Sequence, residues 1–245
     1  MFAVAAVALL AGLLGGLTGI GGVIVVPALT EFGALPVDRA IGTAMFAFVL
    51  AGPIAARLAL RRLALPWPPV LALCAAAAAG ALLGAFTLHA LPGWAVRLFV
   101  AGAAIASGLH TLVGAGRRVP RSDLPGSAVL AALGLVVGWG SAVSGTGGPV
   151  MLIPLLLVLR VPAAVAVALG LAAHLPIVGA ATLVNAAAGR IDFALGAMLG
   201  ALLAAGTLGG LWLSARLSAR QLTTGVAVAL VAVGAWYARL AFAAA

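Results

Sequence analysis

Residues 63–96, 124–159 and 161–189 contain no Asp, Glu, Lys or Arg. About 20 apolar residues are enough to cross a bilayer as a helix, and each of these runs is longer. Of the 245 residues, 65% are hydrophobic and 7% are charged, against about 25% charged in a soluble domain. A chain this poor in polar surface cannot cover a water-soluble globule. It is predicted to be an all-α integral membrane protein in contact with the lipid bilayer, because helices pair their own backbone groups away from water.

The opening stretch "MFAVAAVALLAGLL" is apolar but lacks the basic region of a secretory signal, so it reads as part of the structure. The single cysteine, Cys74, excludes an internal disulfide and a cysteine metal cluster. No metal or cofactor is expected. A formal net charge of +9 would suggest nucleic acid in a soluble protein. Here the basic residues sit in short loops, where membrane topology accounts for them, and no nucleic-acid partner is expected. All 13 basic residues are Arg. Without Lys there is no phosphate-binding loop of the ATPase type, which argues against an ATP-driven pump.

Glycine and proline punctuation divides the chain. "GLTGIGGVIVVPAL" at 16–29 returns in similar form as "AVSGTGGPVMLIPLLL" at 142–157. The reading is a broken segment at 2–33 and helices near 40–57, 68–91 and 95–114. A second broken segment follows at 127–158, with helices near 163–188, 192–214 and 222–242. Gly21-Gly22 match Gly147-Gly148 at an offset of 126, and "AGALLGAFTL" at 79–88 matches "AGTLGGLWLS" at 205–214 at the same offset. The chain is therefore expected to be one transmembrane domain, 1–245, made of a first repeat at 1–116, a polar linker at 117–126 and a second repeat at 127–245.

Length decides how the broken segments sit. At about 1.5 Å per residue neither arm of the first break reaches across a core of ~30 Å, while the two together are too long for one upright span. A re-entrant hairpin is expected in each half, followed by three transmembrane helices. Each half then crosses three times and the repeats are inverted. One side collects Arg57, Arg61, Arg62, Arg117, Arg118, Arg121, Arg160, Arg216 and Arg220, and the other keeps Arg39, Arg97, Arg190 and Arg239. Counting each break as one crossing gives a weaker split of eight against five. The positive-inside rule favours the inverted arrangement, with the nine-Arg side cytoplasmic and both termini outside.

A hairpin tip at the bilayer midplane presents the N-terminus of its returning half-helix, with unpaired N–H groups and a partial positive charge. Glycines let a ligand approach those groups, so the tip suits an anion, and secondary transporters of inverted repeats place their substrate there. The candidate substrate-binding residues are Thr18, Gly19, Gly21 and Gly22 in the first half. In the second they are Ser144, Gly145, Thr146, Gly147 and Gly148. Pro149 falls at a helix start, where its missing N–H costs little. Pro27 and Pro154 lie deeper in the half-helices, as helix-break positions.

These two stretches, with "RAIGTA" at 39–44 between them, resemble the sulfite exporter TauE/SafE family, also grouped as 4-toluene sulfonate uptake permeases. The resemblance covers essentially the whole chain. It implies a transporter of the bacterial inner membrane built from a duplicated unit and handling sulfite, sulfonates or related organosulfur anions. It also adds Thr43 as a candidate hydroxyl. Family members often carry a third glycine after the pair; Val23 and Pro149 stand there in this chain. The Gly42-Thr43 pair becomes Gly170-Leu171 in the second half.

His174 is the histidine placed well inside an expected span, where ionisable groups are costly and functional by default. It is a candidate to donate to an anion, or to titrate and make protons the coupling ion; a helix–helix hydrogen bond is the structural alternative. Asn185 reads as a helix-packing residue, and Arg57 and Arg190 as interfacial snorkelling residues. A homo-oligomer is compatible with the sequence. The expected function is secondary transport of a small sulfur-containing anion rather than enzymatic catalysis. An anion channel is the main alternative. An intramembrane serine hydrolase built on Ser144 and His174 is the remote one, since a nucleophile needs a base within hydrogen-bond reach.

Overall fold

The computed structural model describes residues 2–61, 65–114 and 124–214, with scattered positions between 224 and 242. Helix α1 (Phe2–Thr18) is followed by a tight turn of 3-10 helix (Gly22–Ile24) that runs into α2 (Val25–Glu31). Long helices α3 (Val37–Arg61), α4 (Trp67–Thr87) and α5 (Gly93–Gly114) complete the first half. The second half opens with α6 (Ser127–Ser144) and α7 (Pro149–Val158), then α8 (Ala163–Ala187) and α9 (Phe193–Ser214). No strand occurs among the described residues. The positions described from 224 to 242 are helical, within the last helix expected at 222–242. Most of the expected polar linker lies outside the described residues. So do Arg62, Arg117, Arg118, Arg121, Arg216 and Arg220, six of the arginines on which the topology count rests.

Local chemistry sets the helix boundaries. Pro66 and Pro162 precede α4 and α8, and Pro149 occupies the first turn of α7, positions that tolerate a missing N–H. The Asp192 carboxylate accepts the Leu195 amide at 2.9 Å and so caps α9. Five helices among the described residues, α3, α4, α6, α8 and α9, are long and apolar enough to cross a membrane. The chain is a multi-pass membrane protein.

One difference from the sequence reading concerns α6. It was expected as one arm of a re-entrant hairpin, and its 18 residues rise about 27 Å at the helical pitch, close to the ~30 Å of a hydrocarbon core. The chain nonetheless doubles back at both breaks. Gly21 rests against the Ala11 carbonyl and the Gly15 amide of α1, and the Met151 side chain of α7 lies against Gly140 of α6.

The helices of the two halves interleave. α4 packs along α6 and also against α8; α9 packs along α1 and also against α3; α3 and α8 pack against each other. α5 touches α7, and Trp236 stacks on Phe32 beyond the end of α2, ring centroids 6.4 Å apart. The closest approaches are made by glycine against backbone. A β-carbon on Gly80 or Gly84 would strike the Leu135 or Trp139 carbonyl, and one on Gly206 or Gly210 would strike the Leu9 or Leu13 carbonyl. Likewise Gly138 meets the Ala77 carbonyl and Gly12 the Leu203 carbonyl. In all three sets each residue has its counterpart 126 positions away. Small residues of this kind bring helix backbones together where lipid supplies no hydrophobic driving force.

Candidate functional site

The second break carries the more unusual backbone. Gly145 ends α6 in the left-handed region at φ +71°, its amide donating to the Ser141 carbonyl at 2.9 Å, as helix-ending glycines do. Gly147 at φ +80° and Gly148 at φ +106° follow, conformations that only glycine adopts without strain. In the first break only Gly19, the counterpart of Gly145, has positive φ among the glycines. Gly21 sits at φ −122° and Gly22 already belongs to the tight turn. The breaks thus share their first glycine and diverge from Gly21 and Gly147 onward, ahead of the position where Pro149 replaces Val23.

Both breaks line one cavity of about 60 Å³. Gly19, Gly21 and Gly22 come from the first break and Thr146 and Pro149 from the second. α1 contributes Gly12 and Gly15, α3 contributes Phe48 and Gly52, α8 contributes His174 and α9 contributes Thr207. The breaks also touch directly, since a β-carbon on Gly22 would stand 2.7 Å from the Thr146 carbonyl and 2.9 Å from the Phe48 ring.

His174 is the titratable side chain among the described residues of this wall. Its Nδ1 is hydrogen-bonded to the Gly147 carbonyl, and its ring lies 5.8 Å from that of Phe48 at a tilt of 58°. The carbonyl can only accept, so Nδ1 is the donor. The imidazole thereby fixes the glycine turn, and the turn fixes the imidazole.

Hydroxyl groups form a second layer. Ser144 and Thr146 are both buried, with Oγ and Oγ1 2.9 Å apart. Thr146 reaches the cavity wall, while Ser144 stands behind it and also approaches the Ser141 carbonyl at 3.4 Å. At the start of α7 the Met151 and Leu152 amides both turn back to the Gly148 carbonyl. With Pro149 lacking an N–H, the α7 terminus offers a ligand fewer amides than an open helix end would. The amides of Gly147 and Gly148 donate to no protein group among the described residues.

A family model described as sulfite exporter TauE/SafE matches residues 4–239. The chain belongs to the sulfite exporter TauE/SafE family. No curated protein and no solved structure matches it. The family match spans both breaks and every helix around the cavity, so this TauE/SafE protein carries the cavity within the part that defines the family.

The other expected site residues fall elsewhere. Thr43 is buried in α3 away from the cavity, and its Oγ1 accepts the Asp192 amide at 3.0 Å, tying α3 to the turn before α9. The Thr18 hydroxyl lies outside what the structure describes. Pro27 and Pro154 sit inside α2 and α7. Arg190 does not snorkel into solvent. It is 7% exposed, donates to Asn185 Oδ1 at 3.4 Å and lies 3.9 Å from the Asp38 carboxylate. Asn185 in turn donates to the Ala181 carbonyl of its own helix at 2.8 Å. Phe48, Gly52 and Thr207 were not foreseen as site residues. Only Thr207 left a trace, since it lies in the "AGTLGG" stretch that repeats between the halves.

These placements separate two roles. Thr43→Val leaves the Asp192 amide without its acceptor, and an unsatisfied buried donor costs about 1–3 kcal/mol. A lowered unfolding temperature with unchanged anion affinity is the expected outcome of paired thermal-unfolding and binding titrations. A loss of affinity without loss of stability would return Thr43 to the binding site.

Proposed function

We propose that this TauE/SafE protein is a secondary transporter of small sulfur-containing anions across the bacterial inner membrane. The anion binds in the cavity between the two breaks. The observation that carries this reading is that both breaks, 126 residues apart, line one cavity that holds a half-buried histidine. The Gly21 and Gly22 amides and the Thr146 and Thr207 hydroxyls can donate, as can the His174 ring once Nε2 carries a proton, and no carboxylate among the described lining residues opposes an anion. The cavity is far smaller than the roughly 300 Å³ and more of sites for drug-sized ligands. It suits sulfite or a short alkyl sulfonate, and an aryl sulfonate needs the cavity to open.

The reciprocal packing supports two repeats at 1–116 and 127–245, because the same glycine–carbonyl contacts recur at one offset. The uneven arginine distribution supports their inverted orientation. Alternating access then follows from movement of one repeat against the other around a central site. A serine hydrolase fits less well. The Ser144 hydroxyl is paired with Thr146, and the hydrogen bond of the His174 ring goes to the Gly147 carbonyl and not to that serine.

Counterflow in proteoliposomes tests the transport reading. Liposomes loaded with unlabelled sulfite or taurine should take up the labelled anion transiently against its gradient, and uptake should saturate. Flux that rises linearly with concentration and shows no counterflow would indicate a channel instead.

A further inference from the structure

We propose that His174 binds a proton together with the anion, on Nε2, so that the site takes up one proton for each monovalent anion. This rests on the reading of the cavity as the anion site. Nδ1 is engaged with the Gly147 carbonyl, which can only accept, so Nδ1 keeps its hydrogen whether the ring is neutral or charged. In the neutral ring the lone pair is therefore on Nε2. That nitrogen lies on the α3 side of the ring, where a β-carbon on Gly52 would stand 3.2 Å from it. Gly52 lines the cavity, and no hydrogen bond to Nε2 is made among the described residues. A lone pair repels an anion. The ring donates toward the cavity only when Nε2 also carries a hydrogen, so the proton and the anion favour each other's binding, and the favour is reciprocal.

The surroundings leave the anion as the counter-charge. The described lining residues from α1, α3, α9 and both breaks include no Asp, Glu, Arg, Cys or Tyr. Of the other elements packed against α8, α6 and α7 carry no charged residue and α4 carries only Cys74 as a titratable group. On α3 the described charged side chains, Asp38, Arg39 and Arg57, stand outside the cavity wall. An imidazolium in this setting has no partner until an anion arrives, and a buried charge without a partner is costly. The proton comes from water, forms an N–H bond at the Nε2 lone pair and leaves with the anion. A monovalent anion and its proton together add no net charge to the site.

The test uses the purified full chain and methanesulfonate, a small sulfonate that keeps one negative charge throughout the working pH range. Calorimetric titration in buffers of different protonation enthalpy counts the protons taken up on binding. The expected count approaches one per anion, and Kd rises about tenfold per pH unit between the titration of the ring in the free and the bound protein, the slope of one linked proton. His174→Gln can donate from an uncharged amide, so it should bind with a pH-independent Kd and no proton uptake. Wild-type binding with no proton uptake would overturn the proposal, as would unchanged uptake in His174→Gln. The wild-type count decides the matter even if the variant does not fold. If the folded protein binds neither methanesulfonate nor sulfite, the anion-site reading fails, a result distinct from binding without a proton.

Discussion

Gly147→Val is expected to abolish transport of the sulfur anion while the protein remains inserted in the membrane. Two effects act together at this position. Gly147 has φ +80°, and a β-branched residue forced into that region pays strain of about 1–3 kcal/mol. A β-carbon would also stand 2.6 Å from Cε1 and 2.9 Å from Nδ1 of His174, so the ring must leave the wall or the turn must unwind. Either outcome breaks the bond between the imidazole and the Gly147 carbonyl and reshapes the cavity. Uptake assays in proteoliposomes, with insertion checked by protease accessibility, measure this. Transport at the wild-type rate would show that the second break does not form the site.

The second large effect concerns stability. Gly12→Val and Gly138→Val should each lower unfolding stability by an amount near the upper end of the roughly 1–3 kcal/mol typical of overpacking. The atom in the way is a backbone carbonyl, of Leu203 in one case and Ala77 in the other, so no side-chain rotation relieves the clash. The helices must separate instead, along α1–α9 or α4–α6, the two most extensive helix pairs in the described bundle. The losses should be similar, because the contacts are the same contact repeated at an offset of 126. Gly179→Val is the matched control. It lies in α8 with nothing within 4 Å of an added β-carbon, so its stability should stay within about 0.5 kcal/mol of the wild type. Thermal unfolding in one detergent compares the three. A Gly179→Val loss as large as the others would mean that valine itself, and not the crossing, is at fault.

The helices and both interruptions were legible because glycine pairs, prolines and charge-free runs mark them regardless of tertiary context. The offset of 126 read from Gly21-Gly22 and Gly147-Gly148 is also the offset at which the helix contacts repeat. The cavity wall was legible only where it is made of the breaks themselves. Phe48 and Gly52 reach it from the middle of α3, whose charged residues lie towards its two ends, and Thr207 reaches it from α9, which has no charged residue. A membrane helix without a polar face carries no amphipathic period to show which side turns inward. Thr43 was drawn in by its neighbourhood in a family motif, yet its hydroxyl is spent on the Asp192 backbone. Arg190 was read from its place at a helix end, where snorkelling is the usual solution. Asp38, distant in sequence, and Asn185, five residues back, instead hold it in the protein.

The central claim is that the two breaks build one anion site, and ligand-induced thermal stabilisation tests it most directly. A ligand bound only by the folded state raises apparent stability by mass action. The purified wild-type protein is heated with sulfite, sulfate, thiosulfate, taurine, sulfoacetate, an aryl sulfonate or chloride, alongside Gly147→Val and Gly22→Ala. The β-carbon of the latter presses on Phe48 and the Thr146 carbonyl from the first break. A shift for a small sulfur anion, lost or strongly reduced in both variants, is the predicted result. A flat response of the folded wild type across the panel, or a shift that both variants retain in full, would contradict the account.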